Sequence, residues 1–126
     1  MNPLEFIKKH KVISVIRAEN EALALSFAEA CIAGGLRLIE VTFSFPGAED
    51  VIRSLSDREG ILVGAGTVLD IDMADRAREA GARFLVSPHT DEALIHFARA
   101  NDIAVIPEGA CLFTFQVLCW FMTWAK

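Results

Sequence analysis

The stretch that decides the fold is GLRLIEVTFSFPGAEDVIRSLSDREGILVGAGTV, residues 35–68. Two apolar runs, at 36–43 and 61–65, enclose a segment from Ala48 to Leu55 whose apolar residues recur at helical spacing. Neither run alternates cleanly with polar residues along its length, which is typical of strands that are covered on both faces. The stretch therefore predicts a strand, a helix and a second strand parallel to the first.

The same pattern continues on both sides of this unit. Further strands are predicted at 12–16, 83–86 and 103–106, and further helices at 21–33, 71–80 and 91–100. Asn20 is the expected N-cap of the helix at 21–33, and Gly34 and Gly35 provide its end. Repeated βα units are typical of a (β/α) barrel or of a doubly wound sheet, and their spacing leaves both alternatives open.

Three of the four predicted helices carry an apolar stripe that should face the sheet. The expected core residues are Leu23, Phe27, Ala30 and Cys31 in the first helix, Val51, Ile52 and Leu55 in the second, and Leu94, Ile95 and Phe97 in the last.

Size and charge exclude several classes of protein. The chain has 126 residues, which suits one domain with a buried core. Its formal net charge is -5 and its lysines cluster only at Lys8, Lys9 and Lys11, so we expect no nucleic-acid partner. The three cysteines show no paired spacing and no apolar secretory segment follows Met1, so we expect a protein of the reducing cytoplasm.

The last part of the chain is a different kind of sequence. Residues 110–125 contain no charge, no Gly and no Pro, but include both tryptophans, Trp120 and Trp124. This segment is shorter than the ~20 residues that a transmembrane helix needs, so no membrane partner is expected. A terminal core helix, an aggregation-prone tail and a segment that covers a partner are the alternatives. We therefore divide the chain into a domain at 1–109 and an apolar tail at 110–126.

Polar residues follow two neighbouring predicted strands. Glu40 and Thr42 are two apart and so share one side of their strand, and a Gly-Ala-Gly-Thr loop that ends at Thr67 follows the next strand. A carboxylate beside a glycine-rich loop is typical of a site for a small anionic substrate. Apolar neighbours on the strand should bury Glu40 and raise its pKa. The histidines are scattered and the loop lacks the dinucleotide pattern, so neither a metal nor a nucleotide cofactor is expected.

Several motifs occur together in the order that one enzyme family shows. They are Val15-Ile-Arg17, Gly34-Gly35, Leu38-Ile-Glu-Val-Thr-Phe43, Val63-Gly-Ala-Gly-Thr-Val68, Ser87-Pro88 and Val105-Ile-Pro107. The run from His10 to Pro107 resembles the first half of the 2-keto-3-deoxy-6-phosphogluconate (KDPG) aldolases, a class I family that includes 4-hydroxy-2-oxoglutarate (KHG) aldolases. The family fold is a (β/α)8 barrel of ~200 residues. The resemblance thus implies an α/β fold that is a partial TIM-type barrel, with the first four to five βα units.

The resemblance also implies an activity. These lyases cleave a 2-keto-3-deoxy sugar acid phosphate to pyruvate and glyceraldehyde 3-phosphate through a lysine imine, without a metal or other cofactor. By resemblance, Glu40 is the general acid/base. Substrate contacts are implied for Arg17, Thr42, Gly66, Thr67 and Pro88. Ser44 is a further expected contact, but it stands where some family members have an arginine. A small keto acid or sugar acid phosphate is then the partner, and a homo-oligomer, a trimer, is the implied assembly.

The largest departure from the family pattern is the missing lysine. The chain has no lysine between Lys11 and Lys126, whereas the family carries its imine-forming lysine on a later strand. We therefore expect a truncated chain that is inactive alone and that self-associates through the uncovered edges of its sheet. The alternative is a non-catalytic half-barrel remnant that binds a small keto acid or acts only in assembly.

Overall fold

A computed structural model of the chain describes residues 2–108, in which helices and strands alternate. The helices are α1 (Pro3–His10), α2 (Glu21–Ala33), α3 (Ala48–Ser56), α4 (Ile71–Glu79) and α5 (Glu92–Ala100). The strands are β1 (Ile13–Ile16), β2 (Leu38–Thr42), β3 (Leu62–Gly66), β4 (Phe84–Ser87) and β5 (Ala104–Pro107). The apolar tail and the boundary proposed at residue 109 lie outside the described residues.

The strand order identifies the architecture. All strands are parallel and lie in the order β1-β2-β3-β4-β5, so each pairs with its neighbours in the sequence. A doubly wound sheet reverses its strand order and carries helices on both faces, whereas a barrel keeps sequential order with its helices outside. Here α2 to α5 contribute to one core on one face of the sheet. The expected partial (β/α) barrel is confirmed.

The face that packs against α2 to α5 is called the outer face. It carries Ile39 and Val41 from β2 and Val63 and Ala65 from β3, all nearly inaccessible to solvent. The helices bury mostly small or branched residues against it, namely Ala24, Ala28, Ala48, Val51, Ile52, Leu55, Ala74, Ala77, Leu94 and Ala98. Burial of each larger aliphatic side chain contributes about 1.5–3 kcal/mol, so this core is the main source of stability.

The opposite side of the sheet is called the inner face. Alternate strand residues form a second, smaller cluster there: Leu38, Leu62, Phe84, Val86 and Ala104. Phe6 and Ile7 of α1 pack against this cluster. Because α1 ends just before β1 begins, it covers the inner face at the amino ends of the strands. Glu40 and Thr42 share the parity of Leu38 and therefore also belong to the inner face.

Helix ends follow the sequence closely. Helix α2 has the predicted bounds, and the Asn20 side chain accepts a hydrogen bond from the Leu23 amide at 2.9 Å, as expected of its N-cap. Asp70 and Asp91 cap α4 and α5 in the same way. The predicted strands differ from the observed ones by one or two residues at their ends.

Helix α1 was not predicted, although its start carries a recognisable signal. The Asn2 side chain caps the amides of Leu4 and Glu5, and Pro3 occupies the first helical turn. The helix then ends at Lys11, which adopts a left-handed conformation at φ 65°. The single turn of apolar spacing at Phe6 and Ile7 is too short to show as a periodic pattern.

The apolar stripe predicted for α2 was partly wrong. Leu23 is 38% exposed and Ala30 is exposed, whereas Ala24 and Ala28 are buried. The helix approaches the sheet along its small residues, because alanine at successive turns lets the two backbones come close. For α3 the prediction is confirmed, since Val51, Ile52 and Leu55 are buried.

Candidate functional site

Glu40 lies at the centre of the candidate site, on the inner face of β2. The residue is only 6% exposed, although its side chain carries a carboxyl group. Its Cα lies opposite Gly64 of β3, yet its carboxyl group lies over Gly66: a β-carbon added at Gly66 would be 2.8 Å from Glu40 Cδ and closer still to Oε1. The side chain therefore leans about two residues toward the carboxyl end of the sheet.

The surroundings of Glu40 shift its ionisation toward neutral pH. Burial is the main cause that raises the pKa of Glu40 from 4.5 to about 7, with a further contribution from the negative charge of Glu108. The positive charge of Arg17 acts in the opposite direction. A carboxyl group with this pKa is present in both protonation states near neutral pH, so it can donate and accept protons. The sequence predicted this shift from the apolar neighbours of Glu40.

The two glycines of β3 make room for side chains of the strands on either side. Gly66 accommodates the Glu40 carboxyl from β2, and Gly64 accommodates Phe84 from β4, whose Cγ would lie 2.5 Å from an added β-carbon. The inner face of β3 is therefore filled by neighbouring side chains. Sequence reasoning assigned these glycines to anion binding and missed this packing role, which needs the register of three strands.

Thr42 is buried beside Glu40 in the strand but has a structural partner. Its Oγ1 donates a hydrogen bond to the Ile16 carbonyl at 3.1 Å and lies 2.7 Å from Ser44 Oγ. The hydroxyl thus joins the ends of β1 and β2 to the loop that follows β2. Ser44 itself is exposed. The structure brings these two predicted site residues into contact, while their role toward a substrate stays a prediction.

Thr67 follows Gly66 in an uncommon backbone conformation. Its φ is 57°, in the left-handed region, which few residues other than glycine adopt. The residue is partly exposed, and within residues 2–108 its hydroxyl has no hydrogen-bond partner. Such conformations cost about 1–3 kcal/mol and cluster at functional sites. A hydroxyl without a partner in residues 2–108, on the residue that follows Gly66, is consistent with substrate binding.

Pro88 and Arg17 lie at the same edge of the sheet, beyond the carboxyl ends of β4 and β1. Pro88 is exposed, and the loop around it is held by Ser87, whose Oγ donates to the His89 carbonyl at 2.9 Å. Arg17 is exposed and forms no ion pair with another residue in the described part of the chain, although its charge reaches Glu40. The predicted site residues therefore share one end of the sheet without all touching.

Among residues 2–108, no group of three or more His, Cys, Asp or Glu side chains is arranged to hold a metal ion. In the same part of the chain, no helix is both long and apolar enough to span a bilayer.

Among the described residues, Glu108 acts on the pKa of Glu40 but was not named from the sequence. It follows β5, at the far edge of the sheet from β1, and its charge still reaches Glu40 on β2. No short motif signals that Glu108 acts on Glu40, because this depends on where the sheet places β5 relative to β2.

Comparisons with known proteins agree with this geometry. The family model for the KDPG and KHG aldolases matches residues 4–113. The 2-dehydro-3-deoxy-phosphogluconate aldolase of Zymomonas mobilis is 43% identical over 96 residues, which are 76% of this chain and 46% of the relative. The activity stated in that name is the activity of the Zymomonas mobilis protein.

Solved structures show the same likeness. A 2-keto-3-deoxy-6-phosphogluconate aldolase from Zymomonas mobilis matches with a TM-score of 0.75 and 38% identity, over 85% of this chain and 52% of that one. The KDPG aldolase of Legionella pneumophila, with pyruvate captured as a covalent carbinolamine, matches with a TM-score of 0.74 and 33% identity, over the same shares. The chain spans about half the length of these relatives. By the family model and the shared fold, the chain belongs to the KDPG and KHG aldolase family.

Proposed function

We propose that this chain provides the proton-transfer part of a class I aldolase site. The substrate would be a 2-keto-3-deoxy sugar acid phosphate, and the products pyruvate and glyceraldehyde 3-phosphate. The observation that carries the proposal is Glu40, a buried carboxyl with a pKa of about 7 that leans toward the carboxyl ends of the strands. Active sites of this barrel type lie at that end.

The reaction needs a proton donor and a proton acceptor at one position. When an amine has added to the 2-keto carbon, protonated Glu40 donates to the departing hydroxyl of the carbinolamine, through a water, and an imine forms. The Glu40 carboxylate then accepts the proton of the C4 hydroxyl as the C3–C4 bond breaks. The bonding electrons pass into the imine, which becomes an enamine, and the aldehyde leaves. Glu40 serves both steps because its pKa is close to neutral pH.

Substrate binding is proposed for the residues around Glu40. We propose that the Thr67 hydroxyl, which has no partner within residues 2–108, contacts the keto-acid end. The exposed Arg17 guanidinium would pair with a carboxylate or phosphate. Pro88 and Ser44 would line the same edge of the sheet. The Thr42 hydroxyl already donates to Ile16, so we assign it a supporting role.

The amine for the imine must come from outside residues 2–108. Lys8 and Lys9 lie on α1, which covers the amino ends of the strands, and Lys8 pairs with Glu5 at 3.1 Å. Lys11 ends that helix at the same end of the sheet. In the described part of the chain, no lysine is therefore placed beside Glu40. We propose that a second polypeptide segment completes the site.

The test is complementation. The chain is mixed with the remaining part of the Zymomonas mobilis relative, which by family resemblance carries the imine lysine, and pyruvate release from KDPG is followed. We expect activity only in the mixture, and a loss of at least about 100-fold with Glu40→Gln, as for other general acid/base residues. Glu59→Gln, which alters an exposed carboxylate, is the matched control. Activity that survives Glu40→Gln would refute the proposal.

A non-catalytic remnant that binds a small keto acid, or acts only in assembly, is the second candidate. It is favoured by the placement of the described lysines, none of which lies near the site. Pyruvate binding detected by NMR, with no turnover in a mixture whose two parts associate, would support this candidate over the first.

We also propose that the protein acts in the cytoplasm and as a homo-oligomer, a trimer by family resemblance. Within residues 2–108, β1 and β5 each pair along one side only, so two sheet edges are available for association. Sedimentation equilibrium tests this, and a monomer across the whole concentration range would contradict it.

A further inference from the structure

The backbone conformation at position 66 does not require glycine. Gly66 is the last residue of strand β3, where it pairs with Thr42 of β2, and it is not among the glycines with positive φ. In such a position glycine lowers the stability of a strand, so a specific neighbour must explain it.

That neighbour is the carboxyl group of Glu40. Of the atoms nearest to a β-carbon at position 66, all three belong to Glu40: Oε1, Cδ and Cγ, with Cγ at 3.0 Å. Any side chain at this position would therefore displace the carboxyl from its present place. At Gly64 the equivalent β-carbon would meet only the Phe84 ring among its nearest atoms.

The register of β2 and β3 shows how the space over Gly66 positions the Glu40 carboxyl. Glu40 lies opposite Gly64, and Gly66 is the next inner-face position along β3, ~6.6 Å nearer the carboxyl end of the strand. By occupying the space over Gly66, the carboxyl lies at the carboxyl end of the inner face and remains nearly inaccessible to solvent. The charges that act on it come from Arg17 beside β1 and Glu108 after β5.

We propose that Gly66 is a positioning residue, which holds the Glu40 carboxyl at the carboxyl end of the inner face by leaving the space that the carboxyl fills. The role in catalysis rests on the proposed aldolase function, whereas the positioning itself does not. Gly66 acts through Glu40 and requires no contact of its own with a substrate.

The experiment compares Gly66→Ala with Gly64→Ala, the same change at the other inner-face glycine of β3. Carbon-13 NMR follows the titration of the Glu40 carboxyl in the full chain. We expect Gly66→Ala to lower the pKa of Glu40 by at least about one pH unit, a tenfold change in its acid dissociation constant, because the carboxyl must leave its buried place. Gly64→Ala should leave that pKa unchanged. An unchanged pKa in Gly66→Ala, or an equal change in both variants, would overturn the proposal.

A double-mutant cycle keeps the test decisive if Gly66→Ala folds poorly. Gly66→Ala is made in the wild-type chain and in Glu40→Ala, and urea unfolding is measured for all four proteins. We expect the unfolding equilibrium constant to rise at least about tenfold in the wild-type background and less than about threefold in Glu40→Ala. Equal effects in both backgrounds would show that Gly66 does not accommodate Glu40.

These measurements involve no turnover. A failed complementation assay with a positive cycle would refute the aldolase proposal and leave the positioning role intact. An active mixture with a negative cycle would support the aldolase proposal and refute the positioning role.

Discussion

Replacing Glu40 with glutamine should stabilise the fold at neutral and alkaline pH but have a smaller effect in acid. Burial raises the pKa of Glu40 from 4.5 in the unfolded chain to about 7 in the folded one. The folded protein thus binds this proton more tightly, and its contribution to stability is complete below pH 4.5. That contribution is lost as the pH rises to about 7, because the carboxylate must then be kept buried. Glutamine preserves the shape of the protonated acid without the titration.

The magnitude follows from the difference between the two pKa values. At about 1.4 kcal/mol per pH unit, the free energy of unfolding of the wild type should fall by up to about 3 kcal/mol between pH 4.5 and 7 relative to Glu40→Gln. Partial solvent access and local relaxation reduce this figure, so we treat it as an upper bound.

The assay is urea unfolding followed by circular dichroism at a series of pH values from 4 to 8. The informative quantity is the stability of Glu40→Gln minus that of the wild type, because contributions common to both proteins cancel. We expect this difference to increase with pH and to level off above pH 7. Glu59→Gln serves as the control for the loss of one carboxylate. A difference that stays flat, or that falls with rising pH, would refute the assignment of Glu40 as a buried acid.

Three other predictions concern the same region. In a carbon-13 titration, Glu108→Gln should lower the pKa of Glu40 and Arg17→Gln should raise it, because each removes a charge that acts on the carboxyl. Thr42→Val should cost about 1 kcal/mol in urea unfolding, since the hydrogen bond to Ile16 is lost. Borohydride treatment with pyruvate should give no specific adduct within residues 2–108, because the described lysines lie at the other end of the sheet; mass spectrometry checks this.

Each of these predictions has a contrary outcome. Shifts of the same sign for the two charge variants would mean that general unfolding, and not electrostatics, changes the titration. A valine variant as stable as the wild type would show that the hydroxyl does not join the two strands. A stoichiometric, borohydride-stable adduct on the inner face would require a site arrangement different from the one described.

The sequence predicted best where one local property determines the structure. Asn20 was identified as a cap because its side chain and the apolar spacing after it signal the start of α2. The burial of Glu40 followed from the apolar residues beside it in β2. Strand order could not be predicted from a local property, because barrel and doubly wound sheets share the same local pattern and differ only in how distant strands pair.

The parts that were missed depend on contacts between distant elements. Glu108 reaches Glu40 only through the arrangement of the whole sheet, and Gly66 is explained only by a side chain from another strand. The left-handed conformation of Thr67 is also invisible in the sequence, since threonine rarely adopts it and gives no local signal for it. The substrate contacts of the site residues remain predictions.

The sequential strand order has a consequence for how the chain folds during synthesis. Ile13 pairs with Leu38, 25 residues later, and Phe84 pairs with Ala104, 20 residues later. At about 5–20 residues per second, a ribosome would supply the partner of each strand within roughly 1–5 s. Each βα unit can therefore add to the preceding ones as it emerges. The inner face is then built from its amino-terminal strands onward, with Glu40 in place before the strands that complete its surroundings.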